Sequence, residues 1–181
     1  MGERRDFEAE KLVIGVLSGD AAREPAVMKK LTAEFGRIDY QSDRFPFTFT
    51  SYYEEEMGSV LTRFFLGFER LISPERLAAV KIDTNRMERD AAVDGRRKIN
   101  LDPGLVSLSR FVLASTKNSS HRIPLRDGIY AEIELMYEYG SFRPVEWTYA
   151  DYRSSAYIKI LNHAREIYKE NLKASGNAPA S

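Results

Sequence analysis

Residues 122–135 read RIPLRDGIYAEIEL. Asp127-Gly128, a dipeptide well suited to reversing a chain, stands between two segments whose apolar side chains recur at every second position. Strands joined this tightly run antiparallel, so the chain is committed to at least one hairpin. The chemistry of the two faces suggests the register. A two-residue turn at Asp127-Gly128 alone sets Leu125 against Tyr130 and Ile123 against Glu132, mixing apolar and charged side chains on one face. A three-residue loop, Arg126-Asp127-Gly128 with Gly128 left-handed, instead pairs Leu125 with Ile129, Ile123 with Ala131 and His121 with Ile133. That register turns His121 toward the apolar side of the sheet. It also leaves Arg122 opposite Glu132 as an exposed ion pair worth little.

Other segments supply the rest of an α+β domain. KLVIGVL (Lys11 to Leu17) is an apolar run of strand length ended by Ser-Gly-Asp. Pro25, the stripe Val27, Met28, Leu31 and Phe35, and the stop at Gly36 predict a helix. Phe45, Phe47 and Phe49 alternate, which predicts a strand, as does the aromatic-rich segment Thr62 to Phe68. The polar stretch YYEEEMGS connects them. Ser73 in a capping position, Pro74 and the stripe Leu77, Val80, Thr84, Met87 and Ala91 predict a second helix. A third follows Ser154 or Ser155, with Tyr157, Ile160, Leu161, Ala164 and Tyr168 on its apolar face. The expected arrangement is a single domain over 11–172, a mainly antiparallel sheet with helices packed on one face, between a flexible N-terminus at 1–10 and a disordered tail at 173–181.

Between the second helix and the hairpin lie two polar clusters, Lys98, Asn100 and Asp102 before the apolar run LVSLSRFVLA and Lys117, Asn118, Ser119, His121 and Arg122 after it. Asp102 can cap, Pro103 suits a first turn, and Leu105, Leu108, Phe111 or Val112, and Ser115 keep helical spacing, so the pattern predicts a helix from 103 to 115. Such a helix is roughly 20 Å long and holds the clusters apart at its two ends.

Composition narrows the function. Lys plus Arg and Asp plus Glu are both 27, so no net field draws the chain to nucleic acid or anionic lipid. There is no cysteine, which rules out disulfides and thiolate nucleophiles and leaves two histidines and carboxylates for any metal; none is expected. The charged start MGERRDFEAEK lacks a leader's apolar core, and no later stretch approaches a membrane span, so the expectation is a cytoplasmic protein.

The phosphate loop, the dinucleotide fingerprint, the zinc-protease helix and the nucleophile elbow are all missing. What remains is STKNSSHR at 115–122, whose donors are of the kind that hold phosphate or carboxylate. Its structural explanation is a cationic helix C-terminus leading into a polar turn. Its functional explanation is an anion subsite of Lys117, Ser119, His121 and Arg122, with His121 the candidate general base and Lys98 and Asn100 a second donor group at the helix start. His163 is read as solvated, and the run Glu54 to Glu56 as a solvated turn, because three consecutive carboxylates project in different directions.

Two functions of different class follow. One is binding of, or action on, a small anionic metabolite such as a nucleotide or phosphorylated compound. The other is a noncatalytic interaction protein whose aromatic-rich 45–68 region meets a partner or a second copy. On the first, Arg122→Ala is expected to cost about 0–1 kcal/mol of stability and more in binding. Asp102→Ala, as loss of a cap, is expected to cost about 1 kcal/mol and little binding.

KLVIGVLSGD, FPFTFTSYYEEEMG, KINLDPGLVSLSRFVLASTKNSSHRI, DGIYAEIELMY and WTYADYRSSAYI together resemble, in order over about 11–172, the bacterial domain-of-unknown-function family numbered 4416. The family's N-L-D-P-G motif falls on Asn100 to Gly104. Its T-K-x-x-S-H-R-I motif falls on Thr116, Lys117, Ser120, His121, Arg122 and Ile123. Some members bear the label GTP-binding protein, so the resemblance implies a nucleotide ligand, although STKN is not the guanine-reading N-K-x-D.

Overall fold

A computed structural model describes residues 2–3 and 5–175; the expected tail disorder lies, from residue 176 on, outside the described residues. Its most deeply buried strand is β1 (Lys11–Ser18), covered along its whole length. β4 (Thr62–Phe68) and β5 (Ile99–Val106) pair antiparallel on either side of it. Beyond β4 lie β2 (Ile38–Gln41) and the short β3 (Phe45–Pro46). Beyond β5 come β6 (Arg110–Ser115), β8 (Ile129–Glu138) and, both paired with β8, β7 (Ile123–Arg126) and β9 (Ser141–Pro144). The described residues thus form a single α+β domain on one antiparallel sheet of nine strands.

Alternation along β1 decides what covers the sheet. Leu12, Ile14 and Val16 face one core, shared with Val27, Leu31 and Phe35 of α1 (Glu24–Phe35) and Leu77, Val80 and Met87 of α3 (Leu77–Asp90). Val13 faces the other, against Tyr157, Leu161 and Ala164 of α4 (Ser155–Ala174). The one-face arrangement expected from the pattern therefore holds for α1 and α3, while α4 covers the opposite face. A strand buried on both sides reads as an unbroken apolar run, which is what KLVIGVL is. The caps divide: Ser154 accepts from Tyr157 N–H at 3.3 Å, whereas Ser73 turns its hydroxyl to Glu75 and a 3-10 turn, Pro74–Arg76, leads into α3.

The predicted helix 103–115 is not formed. The segment is β5, a turn at Ser107–Ser109, and β6. Ser107 closes the turn, its hydroxyl accepting from the N–H groups of Ser109 and Arg110 at 3.2 and 3.1 Å. A Cβ added at Gly104 would meet the Phe111 ring at 2.6 Å, so glycine is what lets the two strands close with that ring between them. Leu105, Leu108 and Phe111 share helical spacing by coincidence; alternation of Leu101, Pro103 and Leu105 against Asn100, Asp102, Gly104 and Val106 describes the strand. The consequence reaches the site, because a hairpin brings residues 100–102 and 115–117 to the same end of the sheet.

In the β7–β8 hairpin, Asp127 and Gly128 are both left-handed (φ 53° and 74°), the signature of a two-residue turn. Ile123 does pair with Ala131 as expected. It does so because the extra residue is a bulge at Leu125, with Arg126 opposite Ile129, rather than a third loop residue. The predicted strand from Phe45 stops at Pro46, after which the chain loops to the short α2 (Glu54–Met57).

Candidate functional site

The end of the sheet where β5 and β6 begin and finish carries a cleft of about 440 Å³. Its floor comes from alternate positions of neighbouring strands: Arg63 of β4, Asn100 and Asp102 of β5, Leu113 and Ser115 of β6, and Glu132 of β8. Phe47, Phe49, Tyr52 and Tyr53 form one wall, Tyr149 to Tyr152 the other, and Lys81, Asn85 and Glu88 of α3 close the back.

Arg63 is the floor's centre. Its guanidinium is fully buried, donates to Asp102 at 2.8 Å and lies 3.7 Å from Asp151. Burial alone would loosen its proton, but the two carboxylates overturn that and hold it more tightly than in free arginine. Burial likewise works to raise the pKa of Asp102, yet Arg63 and Lys81 keep it below the ordinary carboxylate value. Asp151, farther from the guanidinium, is pushed up by burial against the pull of Arg63.

A second group flanks the first. Arg97 is gripped by Glu56 at 2.7 Å, reaches Glu88 at 3.3 Å and donates to Asn100 Oδ1 at 3.0 Å. Glu88 Oε1 accepts from Leu101 N–H at 2.8 Å, and Lys81 donates to the Leu101 carbonyl at 2.8 Å, so α3 is bolted to β5 through polar contacts. Among the described residues, three buried polar atoms at the floor have no hydrogen-bond partner: Arg63 Nε, Asn100 Nδ2 and Tyr152 Oη. Buried polar groups are seldom left unpaired, and a cluster of them beside a cleft is where a ligand or water finds partners.

The site residues expected from the sequence divide sharply. Lys117 and Asn100 line the cleft. The ammonium of Lys117 lies 4.4 Å from the centre of the Tyr52 ring across the mouth, and among the described residues it forms no ion pair. Asp102, assigned to capping by the helix pattern, is instead the floor carboxylate. Lys98, Ser119, His121 and Arg122 do not line the cleft. Lys98 offers its carbonyl to Gly19 N–H at 2.9 Å, and its charge helps to lower the pKa of Glu56 after the larger effect of Arg97. His121 stacks on Trp147 (5.1 Å, 13°), meets Ser119 Oγ through Nδ1 at 3.2 Å and bonds Glu132 through Nε2 at 2.9 Å; it is not among the residues that line the cleft.

Arg122 and Glu132 are not the exposed pair that the hairpin pattern suggests. Their side chains are 6% and 1% exposed and 2.9 Å apart, a buried pair rather than a surface one. Arg122 also donates to the Lys117 carbonyl at 2.7 Å and to Tyr149 Oη. It therefore ties both sides of the mouth to β8. Burial at this pair could not be foreseen from the hairpin, because what covers it, Trp147 to Tyr149, arrives from a distant segment.

A bulge in β8, where Phe111 pairs with Leu135 and Val112 with Ile133, frees Glu134 to turn under that same segment. Its Oε1 accepts Tyr149 N–H at 2.6 Å, and its Oε2 is buried without a partner. Burial pushes its pKa up to about 8, only partly opposed by the Tyr149 hydrogen bond and raised further by Glu132 and Asp151. Between the ordinary value and about 8 the folded chain holds a proton that the unfolded chain has lost, so stability falls as pH rises through that range. Glu134→Gln, neutral and able to accept the same bond, is expected to stabilise the fold on the order of 2 kcal/mol at pH 8 and far less at pH 5. Melting curves of both proteins at both pH values check this.

The family model described as Domain of unknown function (DUF4416) matches residues 8–168. The chain belongs to that family. No curated protein and no solved structure matches. Within the DUF4416 domain, the N-L-D-P-G string is the cleft-floor end of β5, and T-K-x-x-S-H-R-I runs from the rim at Thr116 and Lys117 to the buried brace at His121 and Arg122. No helix among the described residues is long and apolar enough to cross a membrane.

Proposed function

We propose that the chain binds a small anionic metabolite with a ring, a nucleotide or another phosphorylated compound, in the cleft at the open end of the β5–β6 hairpin. The observation that carries this reading is the pairing of Lys117, a cation with no carboxylate partner among the described residues, with the aromatic wall of Phe49, Tyr52 and Tyr53 over a polar floor. A ring packs on the aromatic faces while its anionic group meets the ammonium at the mouth. Ser119, His121 and Arg122 belong to this reading as positioning residues that fix the rim, and Asn100 as a contact. A thermal-shift screen with nucleotides and sugar phosphates tests it: a bound compound raises the melting temperature with its concentration. A screen with no concentration-dependent shift for any of them contradicts it.

The alternative, a partner surface on 45–68, keeps only part of its basis. β4 is buried from Arg63 to Phe68, and Phe47 is buried, while Phe49 and Tyr52 are 42% and 61% exposed. Those two exposed rings stand at the cleft mouth, which favours their use in closing on a ligand.

A further inference from the structure

Asn100 and Asp102 are two residues apart on β5, so their side chains share the sheet face that floors the cleft. Their hydrogen-bonding capacities are opposite. Arg97 donates to Asn100 Oδ1, and since a guanidinium can only donate, the amide's orientation is fixed and Nδ2 is a donor. That nitrogen is buried and has no hydrogen-bond partner, in a residue only 4% exposed. It lies near enough to Asp102 to help, after Arg63 and Lys81, in holding that carboxylate ionised against burial, yet the two make no hydrogen bond of ordinary length and angle. Asp102 commits Oδ2 to Arg63; among the described residues nothing donates to Oδ1, and the side chain is 24% exposed, opening on the cleft it lines.

An ionised carboxylate accepts and an amide nitrogen donates, and the simplest group that answers both is a hydroxyl, which does either. An anionic group does not suit this spot, because Asp102 repels it and Arg63 is already shared between two carboxylates. The anion belongs at Lys117 on the rim, and the part of the ligand at the floor is neutral and hydroxylated. We propose that Asn100 and Asp102 form a subsite for the ring hydroxyls of a sugar, so that the ligand is a phosphorylated ribose or a ribonucleotide rather than a simple carboxylate or a deoxy compound. This rests on the anion-binding reading above and goes further by naming the ligand's neutral half. A carboxylate that accepts from a ribose 2′-hydroxyl is a recurrent way of reading that sugar.

The test is calorimetric titration of the full chain with matched probes: ribose 5-phosphate against 2-deoxyribose 5-phosphate, and ribonucleoside against 2′-deoxyribonucleoside 5′-monophosphates. The ribose forms should bind at least about tenfold more tightly, the size expected when a hydrogen bond to a charged group is lost. Asn100→Ala should reduce the preference to a few-fold while still binding the deoxy forms, and Asp102→Asn should do the same if its melting curve shows it folded. Lys117→Ala should weaken ribose and deoxy forms by a common factor. Equal binding of ribose and deoxy forms by the native chain, or a preference that survives Asn100→Ala, overturns the sugar subsite and leaves the anion-binding reading standing. Absence of binding by every phosphorylated probe overturns both.

Discussion

Arg63→Ala is expected to lower the free energy of unfolding by about 3–5 kcal/mol, the range found when one partner of a buried ion pair is removed. In a chain of this length that is a fall in melting temperature on the order of 10 °C. The guanidinium is the only group found within salt-bridge distance of Asp102 and Asp151 among the described residues, and it packs over the Phe47 and Phe65 rings at 5.4 and 5.9 Å. Its loss leaves two carboxylates facing each other at low dielectric. Sign and pH dependence separate this from simple loss of packing. Asp102, ionised at neutral pH because of Arg63, must take up a proton to be tolerated in the variant, so the deficit should shrink as the pH falls toward 4. Chemical denaturation of both proteins at pH 7 and pH 4 measures it; an equal deficit at both values would assign the effect to packing alone.

Arg122→Ala comes next, at about 3 kcal/mol. Taken as a surface pair with Glu132 it should cost almost nothing, so the measurement decides between an exposed and a buried brace. The side chain is held by Glu132, the Lys117 carbonyl and Tyr149. Truncation leaves Glu132 with His121 alone and releases both sides of the cleft mouth at once. Arg122→Lys, which keeps the charge but not the fork geometry, should recover only part of the loss. Urea denaturation of the three proteins reads the effect, and a change below 1 kcal/mol for Arg122→Ala would contradict the buried placement.

Much of the fold can be read from local pattern, and the reasons differ by element. The stripes Val27, Leu31, Phe35 and Leu77, Val80, Met87 repeat at helical spacing over three turns, long enough for the pattern to be unambiguous. KLVIGVL is legible because burial on both faces erases alternation. The segment 103–115 misleads because Asp-Pro-Gly suits a helix start as well as a strand, and a turn of three residues between two short strands mimics helical spacing. Its signal was Gly104 beside Pro103 followed by Ser-Leu-Ser, poor helix interior and good turn chemistry. Site residues followed the same divide. Lys117 and Asn100 could be named as candidate ligand contacts, but Arg63, Asp151 and Glu88 could not, because a lone charged residue within an apolar strand, loop or helix acquires meaning only when distant segments converge on it. The clusters at 98–102 and 115–122 meet for the same reason: the hairpin that replaces the helix folds them onto one end.

If this end of the sheet is an anion-binding cleft with Lys117 at its mouth, calorimetric titration of the native chain and of Lys117→Ala with the nucleotide or sugar phosphate that gives the largest thermal shift will show it. Both proteins should melt together without ligand, since the ammonium forms no ion pair among the described residues, and the variant should bind about 10- to 100-fold more weakly, as loss of a charge-assisted contact requires. Equal affinity of the two proteins for that ligand would contradict it.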